Sequence, residues 1–158
     1  MNYLTIDQYR HAWFYRHQDM PVPASDLEQI KPMTPARSRT LWETFISKEA
    51  DFPEDFGKGE WVTHGNTWLE TDCDWQTPWE SEDQVLPSSI LEHLLWDDGT
   101  VVYFCYAADH VVETRWGVFK KYWKNFLFMD DGPLLIGKRR KEVVQFFQTG
   151  RCRIGNQP

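Results

Sequence analysis

The chain has 158 residues, 41% of them hydrophobic and 16% aromatic, with nine Trp and a formal net charge of −7. Such a length buries a core without metal or disulfide staples, the hydrophobic share excludes disorder as the default, and the negative sign disfavours nucleic acid as a partner. No apolar run approaches the roughly 18–20 residues that span a bilayer, so no membrane attachment is expected.

The opening Met1–Asp7 has neither a basic region nor an apolar run, so no secretory signal is expected there. Thr5-Ile6-Asp7-Gln8 has the form of a capping box and predicts a short helix from Ile6. The aromatic density of Ala12–Arg16 predicts a strand. A second capping box, Ser25-Asp26-Leu27-Glu28, predicts one or two helical turns ended by Lys31-Pro32. Thr34-Pro35 is an N-cap followed by proline at the first helical position. Leu41, Trp42, Phe45 and Ile46 then form one stripe of a helix running to about Ser47.

Residues 50–86 have no sustained period and several Gly and Pro, yet hold four Trp. Their aromatic content predicts an irregular segment docked on the fold rather than a linker. Pro87 opens a helix whose stripe is Ile90, Leu91, Leu94 and Leu95. The continuous apolar run Val101–Tyr106 predicts a strand buried on both faces, joined in a hairpin to His110–Arg115. Trp116, Phe119, Trp123 and Phe126 share one face of a helix, with Lys120, Lys121 and Lys124 on another. Phe126–Met129 and Leu134–Gly137 read as a second hairpin around Asp130-Asp131-Gly132. Glu142–Phe147 and Arg151–Ile154 supply the last strands. The fold class is therefore α+β: one domain over residues 1–158, with a mainly antiparallel C-terminal meander joined by an N-terminal strand and packed with amphipathic helices.

Charge is unevenly placed. Residues 49–98 carry 14 Asp/Glu against the single base Lys58, whereas residues 116–158 carry 9 Lys/Arg against 3 Asp/Glu. An acidic middle of this kind either covers the basic end of the same fold or presents a face that steers a basic protein. Trp61, Trp68, Trp75 and Trp79 lie within it, as core anchors or as exposed aromatic contacts.

The remaining chemistry is sparse. His110, with Glu113, Asp130 and Asp131, is the acid–base candidate, set against a plain strand-end histidine and the glycine-demanding turn that Asp-Gly satisfies. Lys138, Arg139, Arg140 and Lys141, with Lys120, Lys121 and Lys124, could contact phosphate or nucleic acid, or merely guard sheet edges. The glycines beside that turn lack Walker spacing. Asp72, Asp74, Glu80, Glu82 and Asp83 lack the calcium-loop pattern, and no histidine pair has metal-ligand spacing, so neither a metal nor a cofactor is expected. Cys73, Cys105 and Cys152 are odd in number and far apart; they predict no disulfide framework and fit a reducing, cytoplasmic compartment.

Val102–Tyr106, Asp109–Trp116, and the run from Asn125 through Pro133 to Glu142–Phe147 resemble a bacterial family, domain of unknown function 2947. Trp13-Phe14-Tyr15-Arg16-His17-Gln18-Asp19 resembles the opening of the same family, so the likeness covers nearly the whole chain. The resemblance implies a small cytoplasmic protein and carries over no activity, cofactor or catalytic residue. The expectation from the residues is a non-enzymatic binding protein with an acidic, Trp-rich surface.

Overall fold

The computed structural model describes residues 1–158. Its centre is a six-stranded sheet in the order β1-β3-β2-β4-β5-β6, with every neighbouring pair antiparallel. The strands are β1 (Lys31–Pro32), β2 (Val101–Ala107), β3 (His110–Arg115), β4 (Leu134–Gly137), β5 (Glu142–Phe146) and β6 (Cys152–Asn156). The helices are α1 (Ala24–Leu27), α2 (Pro35–Phe45), α3 (Gln76–Glu80), α4 (Ser88–His93) and α5 (Trp116–Phe126). This is an α+β fold whose strands, β1 apart, lie in the C-terminal half.

β2 is central because its β-branched and aromatic residues are apolar on both sides of the pleat. Val102, Phe104 and Tyr106 pack with Trp116, Phe119, Trp123 and Phe126 of α5 and with Phe14 and Tyr15 from the N-terminal region. Tyr103 and Cys105 pack on the other face with Leu41, Trp42 and Ile46. The start of α2 is set as expected, with Thr34 Oγ1 accepting from the Arg37 N–H at 3.2 Å and Pro35 in the first turn. Gly132, at φ +90°, supplies the left-handed residue of the turn before β4.

Several expectations are corrected. Ala12–Tyr15 is a 3₁₀ helix, not a strand: Phe14 bonds back to His11 and Arg16 to Trp13, and the segment's aromatics pack onto a sheet face. Around Ile6 the capping-box bonds form between Thr5 and Gln8, but the chain makes a turn and no helix follows. Phe126 ends α5 and residues 127–129 turn, so the second hairpin is β4–β5. α4 stops at His93, and the non-helical ψ of Leu94 throws Leu95 out of the buried stripe to 83% exposure. Tyr122 leaves helical geometry inside α5, which re-phases the last turn and buries Lys124 with Asn125.

Both edges of the sheet are covered. The chain start lies along β1, with Leu4 N–H donating to Pro32 O at 2.8 Å and a bridge between Tyr3 and Met33. The irregular segment lies along β6, with Leu69 N–H on Ile154 O and Cys152 N–H on Cys73 O, each at 2.9 Å. Gly155 permits the approach, since a Cβ there would stand 2.1 Å from Thr67 O. Cys73 and Cys152 form a disulfide across this contact, and Cys105 is free and buried. The pairing overturns the expectation from cysteine count and spacing, because the two partners are 79 residues apart and meet only through the sheet edge. The argument from unpaired thiols to a reducing compartment falls with it. No helix is long and apolar enough to cross a membrane.

Candidate functional site

Every indole N–H of the Trp quartet donates to a main-chain carbonyl. Trp61 donates to Phe45 O (3.1 Å), Trp68 to Val62 O (2.9 Å), Trp75 to Phe147 O (3.0 Å) and Trp79 to Lys124 O (2.9 Å). Trp75 is buried and the other three are half-buried. Arg153 of β6 locks the arrangement, its guanidinium 4.0 Å above the Trp68 ring and 5.2 Å from that of Phe147. It donates to Gln145 Oε1 and Val62 O, and burial lowers its pKa to about 10. The quartet thus pins the irregular segment to itself, to α2, to α5 and to the turn after β5, and Trp61 also lines an open groove.

The acid–base candidates do not converge. His110 and Glu113 are three residues apart on β3, so the pleat sends them to opposite faces. Glu113 Oε1 accepts from Tyr3 Oη at 2.8 Å, and Tyr3 is pushed up to about 12 by burial and then by this carboxylate. His110 is buried, with Nε2 2.5 Å from Tyr9 Oη and its ring stacked on Tyr106 (4.3 Å) and on His11 (4.7 Å). Burial, then His11 and Arg10, hold His110 down to about 3, so it is neutral and a weak base at pH 7. His11 Nε2 and Tyr15 Oη are buried without hydrogen-bond partners. Asp131 lines a separate cavity of about 390 Å³ with Glu54, Gln145 and Thr149. Its neighbour Asp130 is raised above the usual carboxylate range by burial and then by Asp131. No three His, Cys, Asp or Glu side chains are grouped as metal ligands.

A concavity of about 510 Å³ lies between the last turn of α2 and the loop of residues 57–64. Glu43, Glu49 and Glu60 line it together with Phe45, Trp61 and His64, and Lys48 is the one ammonium in its wall. Ser47 Oγ accepts from the Glu49 and Ala50 N–H groups and donates to Glu60, whose other oxygen accepts from Gly57 N–H at 2.7 Å. These bonds fix the loop against the helix end, where the carbonyl pole of α2 adds to the negative field.

Beside it, Lys138, Arg139, Arg140 and Lys141 form the β4–β5 turn, all exposed, with Arg139 in the left-handed region at φ +60°. None of the four takes part in the five ion pairs. They rim a cavity of about 210 Å³ over Phe45, Tyr103 and Ile136. The wider basic patch does not form, because Lys120 pairs with Asp98 at 2.7 Å and the buried Lys124 donates to Ser81 O.

The family model described as protein of unknown function (DUF2947) matches residues 3–155. The chain belongs to this family. No curated protein and no solved structure matches it. In this DUF2947 chain the groove residues Glu43, Phe45, Glu49 and Glu60 escaped the sequence reading. Phe45 shares a stripe with buried residues, and nothing local marks it as the exposed member. Tyr9 likewise carries no sequence signal, since its partner His110 is 101 residues away.

Proposed function

We propose that the protein is a single-domain, non-enzymatic binding protein that docks a basic partner in the groove between the end of α2 and residues 57–64. The observation that carries this reading is the surplus of free carboxylate. Of the 14 Asp/Glu in residues 49–98, only Asp51, Asp72 and Asp98 are in ion pairs, and the groove adds Glu43, whose one ion pair is a long 3.8 Å contact with Arg39, beside Trp61 and Phe45. A concave, negative, aromatic-walled site steers cations and gives them ring faces to settle on. The neutral, enclosed His110 supports no acid–base step at neutral pH.

The test is fluorescence anisotropy of a labelled lysine-rich peptide at about 50 and 500 mM salt, where screening lengths differ severalfold. Salt-sensitive binding is expected, weakened about fivefold to tenfold by Glu43→Gln with Glu49→Gln, in line with two partly exposed charge contacts. Equal weakening by Glu80→Gln with Glu82→Gln, away from the groove, would reduce the effect to overall charge and sink the reading. So would the absence of binding.

A further inference from the structure

We infer that the acidic groove and the basic turn form one bipartite cleft, whose occupant is an extended peptide segment that changes charge sign about a central apolar residue. The inference rests on the reading of the groove as a docking site and names what fits it. Phe45 and Pro158 line both concavities, so the two lobes meet there. Phe45 occupies a core-stripe position of α2, yet it is 48% exposed while Leu41, Trp42 and Ile46 are buried. Its carbonyl is held by the Trp61 indole, which fixes the apolar saddle between the lobes.

The lobes carry opposite charge. On one side stand Glu43, Glu49 and Glu60, and on the other Lys138, Arg139, Arg140 and Lys141. In a chain with 24 acidic against 17 basic residues, four adjacent cations without a carboxylate partner are a repulsive cluster that an anionic ligand relieves. A uniformly basic segment satisfies the Glu lobe but meets like charge at the turn. Such juxtaposition discriminates against wrong partners. The matching ligand therefore places Lys or Arg over Glu43 and Glu49, an apolar side chain on Phe45, and Asp or Glu against Arg139 and Arg140.

The experiment compares labelled heptapeptides at low salt. One has two lysines, glycine, phenylalanine, glycine and two glutamates, made in both chain directions; a second carries lysines at both ends; a third has serine in place of phenylalanine. One direction of the first is expected to bind at least tenfold tighter than either of the others. Arg139→Gln with Arg140→Gln, checked for folding by near-ultraviolet circular dichroism, is expected to erase that preference and leave the lysine peptide bound. Tighter binding of the all-lysine peptide, unaffected by the Arg substitutions, would overturn the bipartite cleft and leave the basic-partner reading standing. No binding of any peptide would overturn both.

Discussion

His110 is a titratable ring enclosed by Tyr9, His11 and Tyr106, with Arg10 and Asp109 at the mouth of the small cavity that it lines. Its pKa of about 3 lies well below the ordinary value of ~6.5, so the unfolded chain binds a proton that the folded one refuses. Stability from this group is therefore complete above pH ~6.5 and falls by ~1.4 kcal/mol per unit as pH drops toward 3. His11, also lowered by burial and then by Arg10, adds to the slope in the same direction. Urea unfolding is expected to show roughly 2 kcal/mol less stability at pH 5 than at pH 7. His110→Gln, which keeps an acceptor for Tyr9 but does not titrate, is expected to remove most of that difference. An unchanged slope in the variant would assign the acid sensitivity elsewhere.

At the scale of elements, the irregular segment is tied to β6 by the Cys73–Cys152 bond and by backbone bonds, and to α2, α5 and the β5–β6 turn by indole donors, and these ties make different predictions. The bond closes a span of 79 residues, so its loss frees the unfolded chain by about 4 kcal/mol on the loop-entropy account. Reduction is expected to lower the urea midpoint accordingly while leaving the folded circular dichroism intact, because Trp75 and Trp79 still hold the segment. Thiol titration should find no reactive group in the native protein, one on unfolding and three after reduction. Reactive Cys73 or Cys152 in the native, unreduced protein would contradict the bond. Some local signals were legible in the sequence where a single residue type meets a backbone demand, although neither Thr5 nor Ser25 caps a helix. Thr34-Pro35, the apolar run of β2 and its hairpin with β3 stand as read, and Gly132 takes the positive φ expected of Asp-Gly although no hairpin forms around that turn. Aromatic density, in contrast, reports burial and says nothing of backbone, which is why Ala12–Tyr15 reads as a strand and folds as a 3₁₀ turn. The site was half legible. The basic turn follows from composition, but the exposure of Phe45 depends on packing at the end of α2, and the disulfide depends on which segment lies along β6.

At the scale of the whole molecule, the acidic, Trp-rich segment with no regular period closes one edge of the sheet. An open β6 edge would offer unpaired backbone groups to any other strand, and an irregular, negatively charged cover both pairs that edge and repels copies of itself. Trp68 is the residue on which the cover turns, since it bridges Gly155, donates to Val62 O and carries the Arg153 guanidinium on its face. Trp68→Ala is expected to cost about 2–3 kcal/mol, less than the 3–5 of a fully buried Trp because the ring is half-buried. Its signature should be local. The Leu69 and Cys152 amides, which pair segment and strand, should exchange hydrogen faster, and light scattering should rise with concentration as the edge opens. Trp13→Ala provides the contrast, because Trp13 is 51% exposed and packs on Phe14 and Phe128 away from either edge. If both variants associate equally, or if neither changes exchange along β6, the segment is not an edge cover. Its charge would then have no role at the edge.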